Sequence, residues 1–430
     1  MRIRFSQICS VAFLALWFST NSSALAKPSK QDLDAFYKLQ NRMSPEAFSL
    51  IENKIKAGKD LGDWNELKAI WYLRGPGTHS EEMFFAARNA ARQDPKNTHI
   101  LVTYAMSLTM MRKHEAAQEF LNRVLKSNPK DARALAAEAY LLADQNTSED
   151  LAREEMKSAI KIAPNDPDVN NLALSFYRKI FDYDSAKQSL DRWIKASPND
   201  LLPRMILAEL LKSARHRDEA ISECQKVIAI NPDLDWAHHV LINTCADKMD
   251  YKAVIAAVSD LFAKSKSSKS NFELWVRRAE AYAHLNQYDK AISDYTSAMN
   301  VLVPGTPQDK LPVDISKFHE KTRRCYLQYF TSRAQMYVKT GKAEKASENM
   351  TLLLRISPSN AGGLLTRIEA YEALKKYDLA LSDMDRLLRK DSDVAEWYKI
   401  KIRLLRKMGR EADAKAVEKR MKEVDEFGTR

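Results

Sequence analysis

The chain has 430 residues, of which 45% are hydrophobic and 29% charged, a composition typical of folded proteins at a length too great for one compact core. Only 10 residues are glycine, and none lies between Gly77 and Gly305, which disfavours a sheet protein whose tight hairpins need glycine at positive φ. The formal net charge of +11 suggests acidic partners or anionic surfaces and says nothing about the fold.

Residues 1–26 have the three parts of a secretory signal peptide. A start containing two arginines is followed by an apolar run at 8–18 and by the small-x-small cleavage site Ala24-Leu25-Ala26. The apolar run is too short to span a bilayer, which needs about 20 residues. We therefore expect a secreted or periplasmic protein whose mature form begins at residue 27 and has no transmembrane segment.

Residues 27–63 have the pattern of two amphipathic helices, and a periodic region follows them. Five prolines recur there at spacings of 34, 35, 34 and 34 residues, namely Pro95, Pro129, Pro164, Pro198 and Pro232. A repeat of this length is the signature of a stacked array, in which residues 27–63 would form the N-terminal cap.

The residues before these prolines repeat as well. A small, a large and a third apolar residue stand 12, 8 and 5 positions upstream of each proline from Pro129 onward. This spacing marks one face of a helix, and the proline then prevents the helix from continuing. The triplets are Ala117, Leu121 and Val124; Ala152, Met156 and Ala159; Ala186, Leu190 and Trp193; and Ala220, Cys224 and Val227.

The clearest copy of the repeat spans residues 272–303. It places Trp275, Ala279 and Tyr282 on a first helix, and Tyr288, Ala291, Tyr295 and Ala298 on a second. This pattern resembles the tetratricopeptide repeat (TPR) family, whose repeats have 34 residues in two antiparallel helices, A and B. The resemblance implies an all-α, right-handed helical solenoid of about ten helix-turn-helix repeats.

The repeats are predicted to fall into three stretches. Six occupy residues 64–266, the first and sixth of them degenerate, and residues 267–303 hold the end of a basic linker and the seventh. The remaining repeats follow in residues 327–430. Residues 304–326 are an insertion, which we interpret either as a loop at one edge or as a longer lead-in to the next A helix.

Three cysteines lie beyond the signal-like segment: Cys224, Cys245 and Cys325. So few cannot form the disulfide framework of the protein. Buried thiols are the favoured interpretation, and one disulfide with a leftover thiol is the alternative.

Motifs for catalysis are missing from the sequence. The long gap in glycines leaves no place for a nucleotide-binding loop between residues 78 and 304, and no G-x-S-x-G elbow occurs. His114-Glu115 and His319-Glu320 begin like a zinc-protease motif but lack its second histidine. We therefore expect a protein that is not an enzyme, with no cofactor, no metal and no specific nucleic acid.

The resemblance also implies where a partner would bind. In TPR proteins the A helices line the inner wall, with groove-facing residues at positions two, five, nine and twelve of each repeat. The corresponding positions are Asn171 and Arg178 in the fourth repeat, Trp236, His239 and Asn243 in the sixth, and Lys399, Arg403 and Arg406 in the last.

The sequence thus predicts an adaptor or scaffold outside the cytoplasm that binds a protein or peptide in this groove. One alternative is a binder of anionic polymers or envelope surfaces, because residues 386–430 contain 14 Lys/Arg against 9 Asp/Glu. Another is a regulatory subunit of an envelope enzyme.

Overall fold

The computed structural model describes residues 28–41, 46–58, 61–74, 80–264, 267–305 and 318–428. Within these ranges the chain forms 22 α-helices and one short 3-10 helix, and no strand. The prediction of an all-α chain of paired helices is therefore confirmed. The predicted signal peptide, residues 1–26, lies outside the described residues, as do residues 306–317 of the predicted insertion.

The chain divides into two compact units, Met1–Leu241 and Ile242–Arg430, with the division inside α13. The first unit contains the twelve described helices before α13 and the first part of α13 itself. They are α1 Lys30–Asn41, α2 Glu46–Lys56, α3 Leu61–Arg74, α4 Ser80–Gln93, α5 Thr98–Met110, α6 His114–Ser127, α7 Ala132–Gln145, α8 Glu149–Ile162, α9 Pro167–Lys179, α10 Tyr183–Ala196, α11 Leu201–Ser213, α12 Arg217–Ile230 and α13 Asp235–Asp247.

The second unit contains the rest of α13 and the helices after it. These are α14 Tyr251–Lys264, the 3-10 helix Ser267–Ser270, α15 Phe272–His284, α16 Tyr288–Leu302, α17 Glu320–Lys339, α18 Ala343–Ile356, α19 Ala361–Ala373, α20 Tyr377–Lys390, α21 Ala395–Lys407 and α22 Glu411–Gly428. Residues 320–326 of the predicted insertion belong to α17, so this part of it is a lead-in to a helix.

The recurring prolines belong to a turn that starts the next A helix. Two residues after each of four prolines, a side-chain oxygen of Asn97, Asp131, Asp166 or Asp200 accepts hydrogen bonds from backbone N–H groups of the first helical turn. Such caps satisfy donors that the helix itself cannot pair. The proline therefore ends one helix and the Asx residue begins the next.

The small residues of the repeat lie where helices meet. All four predicted triplets are buried, as are Ala291 and Ala380, which belong to later repeats. A small side chain at this position lets a neighbouring helix approach closely, while the larger apolar residues fill the space around it. This confirms the register assigned from the sequence at these positions.

Paired charges are buried at equivalent places in the second unit. The Arg278 guanidinium donates to both carboxylate oxygens of Asp294, at 2.7 and 2.9 Å, and Arg367 does the same with Asp383, at 2.7 Å each. Both aspartates are buried. Each pair joins an A helix to the B helix of its own repeat by a bidentate contact, the strongest geometry for an ion pair.

The three described cysteines are free thiols. Cys224 and Cys245 are buried, and burial raises the pKa of Cys245 to about 11. A thiol held protonated in this way is a poor nucleophile and behaves as a small apolar residue. The favoured interpretation of buried thiols therefore describes these two, while Cys325 is half-buried.

Candidate functional site

The predicted residues of α9 differ in their exposure. Asn171 is fully buried in α9, a helix that packs against both α7 and α10. Its side chain is therefore not available to a partner, contrary to the prediction. Arg178 is half-buried nearer the end of the helix. Burial lowers the pKa of Arg178, and the nearby Tyr140 and Glu209 act in the opposite direction.

Trp236 lies close to an acid on the preceding A helix. Its indole N–H donates to a carboxylate oxygen of Glu209 at 3.1 Å, and its ring packs on the apolar core of the first unit. Glu209 thus contacts Trp236 and also acts electrostatically on Arg178. His239 is half-buried on the same helix, and Asn243, also half-buried, belongs to the second unit.

The three residues predicted in the last repeat line one open recess in the second unit. Its volume is about 520 Å³, and we call it the C-terminal basic groove. Its lining consists of Lys399, Ile402, Arg403, Arg406 and Lys407 from α21, with Glu418 and Met421 from α22. The lining therefore contains four cations, one acid and two apolar side chains, of which Ile402 is nearly buried.

The helical period explains why these side chains meet. Residues of α21 spaced by three and four positions share one face, and the two from α22 are spaced by three. Gly409, at φ 74°, lies in the turn between the helices, a conformation that costs a side chain steric strain. The turn brings α22 back along α21, so the two faces form the sides of the groove.

The cations of the groove do not all have the same role. Arg403 and Lys407 each form an ion pair with Glu372 of α19, at 2.8 Å. Partial burial alone would raise the pKa of Glu372, but hydrogen bonds and charge from Lys407 and Arg403 hold it below its usual value. These two cations therefore hold α21 against α19.

Lys399 and Arg406 are paired only with exposed acids. Lys399 lies 3.0 Å from Glu396, and Arg406 lies 3.1 Å from Glu418 and 3.4 Å from Glu411. Exposed ion pairs of this kind contribute little, roughly 0–1 kcal/mol, and exchange readily for other carboxylates. These two side chains are thus available to an acidic ligand.

Four residues that line the groove were not predicted from the sequence, namely Ile402, Lys407, Glu418 and Met421. Ile402 and Lys407 could have been found by extending the three-and-four spacing along α21. Glu418 and Met421 were missed because we assigned binding residues only to A helices, whereas one side of this groove is a B helix.

A second polar cluster, which the sequence did not reveal, lies in the first unit. The Glu66 carboxylate is 2.6 Å from His99 Nδ1 and accepts a hydrogen bond of 3.0 Å from the Thr103 hydroxyl. Asp168 lies 3.7 Å from both His99 and Arg133. These residues come from α3, α5, α7 and α9, and they join four successive A helices.

Both acids of this cluster are only 1% exposed. Burial raises the pKa of Asp168 to about 6. Burial alone would lower the pKa of His99, but the charge of Glu66 and hydrogen bonds to both acids raise it. The cluster is therefore a buried group whose charge changes near neutral pH, and not a surface for a partner.

The described ranges contain no group of three or more His, Cys, Asp or Glu residues that could hold a metal ion. None of the described helices is long and apolar enough to cross a bilayer.

Two segments, residues 85–141 and 272–301, match models of the tetratricopeptide repeat. The chain therefore contains TPR repeats. It is 24% identical over 316 residues to DnaJ homolog subfamily C member 3 of Gallus gallus, a match covering 67% of this chain and 56% of the relative. It is 38% identical over 66 residues to mitochondrial import receptor subunit TOM34 of Rattus norvegicus, covering 15% of this chain and 21% of that protein.

Among solved structures, the TPR domain of P58(IPK) matches with 18% identity and a TM-score of 0.29, covering 81% of this chain and 98% of that one. The chain spans little more than half the length of the avian relative and about a fifth of the rat protein.

Proposed function

We propose that this chain is a non-enzymatic scaffold that binds a partner protein, and that the C-terminal basic groove is one of its binding surfaces. The observation that carries this proposal is the groove itself: it is lined by four cations together with the half-buried Met421 and the nearly buried Ile402, and Lys399 and Arg406 pair only with exposed acids. A surface with an apolar centre and a charged rim has the usual anatomy of a protein interface.

We also propose that the protein acts outside the cytoplasm. The support is the sequence of residues 1–26, which has a basic start, an apolar run and a small-x-small site.

The basic groove also favours a second function, binding of an anionic polymer. The two functions differ in what the apolar centre contributes. A polyanion would be held almost entirely by charge, so its affinity would fall steeply with salt. A protein partner would bury the exposed part of Met421 and would remain bound at higher salt.

Site-specific photo-crosslinking tests the proposal in the native host. The full chain carries Met421→p-benzoylphenylalanine, and a matched control carries Leu379→p-benzoylphenylalanine, at an exposed apolar position of α20 outside the groove. We expect irradiation to link position 421, but not 379, to a defined protein. The proposal fails if position 421 gives no protein adduct, or if both positions give the same adducts.

A further inference from the structure

The last two helix pairs of the second unit are equivalent, which allows their outer faces to be compared residue by residue. α19 and α21 begin 34 residues apart, and so do α20 and α22. Each residue of the α19–α20 pair therefore has a counterpart 34 positions later in the α21–α22 pair.

The equivalent face of the α19–α20 pair is covered by α21, so its contacts show how a helix packs there. Glu372 of α19 pairs with Arg403 and Lys407 of α21, and Asp385 of α20 pairs with Lys401 of α21 at 2.7 Å. The acidic face of one pair thus receives the basic face of the next A helix.

The same contact recurs one repeat earlier. The Arg367 guanidinium of α19 donates to the hydroxyl of Thr351 on α18 at 3.1 Å, and residues 367 and 351 stand 34 positions before Lys401 and Asp385. The position held by Thr351 and then Asp385 is therefore a regular contact point for the following A helix.

At the α21–α22 pair, both acidic contact positions have become basic. The counterpart of Glu372 is Arg406, and the counterpart of Asp385 is Lys419. Lys419 is exposed, and Arg406 has only the weak, exposed pairs described above. A helix that packs here as α21 packs on α19–α20 must offer acids where α21 offers lysine and arginine.

The apolar residues at equivalent positions of the two helix pairs also differ in their exposure. Ile368 and Leu387 of the inner pair are 1% and 0% exposed. Their counterparts Ile402 and Met421 line the open groove; Ile402 is also buried, at 6% exposed, whereas Met421 is only half-buried. Within the described residues no helix covers Met421 as α21 covers the α19–α20 pair, so this apolar side chain is open on the same helix as Lys419.

We infer that the outer face of the α21–α22 pair binds an acidic amphipathic helix of a partner protein, which takes the place that α21 takes on α19–α20. This inference rests on the proposed function and specifies the class of partner segment. The acidic side chains of the helix pair with Arg406 and Lys419, and an apolar side chain of the helix covers Met421.

The sequence of the chain itself supplies a matched pair of probes. The acidic probe is a labelled peptide of residues 395–407 in which every Lys and Arg is replaced by Glu, with a side-chain staple that holds it helical. The basic probe is the unaltered, stapled sequence. Fluorescence anisotropy then measures binding of each peptide to the full chain at low and moderate salt.

We expect the wild-type chain to bind the acidic probe and not the basic one. Because the charges face each other directly, Arg406→Glu should weaken binding of the acidic probe by roughly tenfold. The double variant Arg406→Glu/Lys419→Glu should reverse the preference and bind the basic probe. Arg410→Glu is the control, since Arg410 is exposed, pairs with Asp413 and does not line the groove.

Three results would overturn the inference. In the first, the charge-reversed variants bind both probes as the wild type does. In the second, unstructured polyglutamate or heparin binds as tightly as the helical probe and competes with it, which indicates a polyanion site. In the third, light scattering shows a dimer that Arg406→Glu dissociates, which assigns the face to a second copy of the chain.

The crosslinking experiment separates this inference from the proposed function. If position 421 captures a protein but the acidic probe does not bind, the scaffold function stands and the acidic helix is wrong. If position 421 captures no protein, the proposed function fails, whatever the peptides do.

Discussion

Gly363, in the first turn of α19, tests how tightly the second unit is packed beneath the groove. A Cβ atom at this position would lie 2.7 Å from Cδ2 of Leu353 and 3.5 Å from Cδ2 of Leu354. Leu353 is fully buried, so neighbouring side chains limit its movement. Gly363→Ala should therefore force a rearrangement in the core between α18 and α19.

The magnitude follows from two opposing effects. Replacing glycine by alanine in a helix stabilises it by about 0.5–1 kcal/mol. Adding a methyl group to a filled core costs about 1–3 kcal/mol. The net expectation for Gly363→Ala is a loss of about 1 kcal/mol in the free energy of unfolding of the second unit, by the difference between these ranges.

The neighbouring glycine provides a matched control. A Cβ atom at Gly362 would meet nothing closer than 3.6 Å, an ordinary van der Waals contact. Gly362→Ala should therefore give the helix-forming gain without the clash and stabilise the chain by about 0.5 kcal/mol. Both substitutions lie in the same helical turn, so the comparison isolates the contact with Leu353.

Urea unfolding followed by circular dichroism at 222 nm measures the two effects. We expect Gly363→Ala to unfold at lower urea than the wild type, and Gly362→Ala at higher urea. A second variant, Gly363→Ala/Leu353→Val, removes the atom that clashes and should show a favourable coupling between the two sites. Equal stability of the two alanine variants, or no coupling with Leu353, would refute the argument from packing.

Three further predictions concern charge and processing. Since the folded state raises the pKa of Asp168 to about 6, and raises that of His99, the folded chain binds protons more tightly than the unfolded chain. The first unit should therefore gain about 1–3 kcal/mol of stability between pH 8 and pH 5. In thermal melts Asp168→Asn should remove the part of this dependence that Asp168 contributes and leave the part that His99 contributes through Glu66. Asp383→Ala leaves the half-buried Arg367 without its carboxylate and should cost about 3–5 kcal/mol in urea unfolding, whereas Asp383→Asn, which keeps hydrogen-bond acceptance, should cost less. N-terminal sequencing of exported protein should begin at residue 27, and recovery of an intact start from the native host would contradict the secretion proposal.

The sequence predicted the helix pairs well, because the same physical constraint recurs in every repeat. The spacing of proline and of the small residues predicted helix pairs, because each repeat must end a helix and admit a neighbour at the same place. The N-caps were also present in the sequence, two residues after the prolines, as at Asn97 and Asp131. They were not recognised because single Asx residues are common, and only the proline register makes them significant.

The sequence was least informative about burial of polar residues. Asn171 was assigned to the groove wall from the repeat register, yet its side chain is fully buried in α9, which packs against α7 and α10. Glu66, His99 and Asp168 are far apart in the chain, and only the packing of successive A helices brings them together. The repeat period predicts neither the burial of Asn171 nor the polar cluster, since both depend on side chains contributed by other repeats.

The charge reversal between the α19–α20 pair and the α21–α22 pair was only partly predictable from the sequence. Lys419 and Arg406 are visible in the sequence as two of many basic residues on a basic segment, and the family register alone gives Lys419 no role. The role of these two residues is inferred from their counterparts. Asp385 and Glu372 form ion pairs with α21, so the next A helix reaches these positions. A basic segment with no such contacts would be expected to bind any polyanion through charge alone. Here the two basic positions are counterparts of acids that contact the next A helix, and Met421 is half-buried where its counterpart Leu387 is fully buried. That combination favours a folded acidic segment as the ligand.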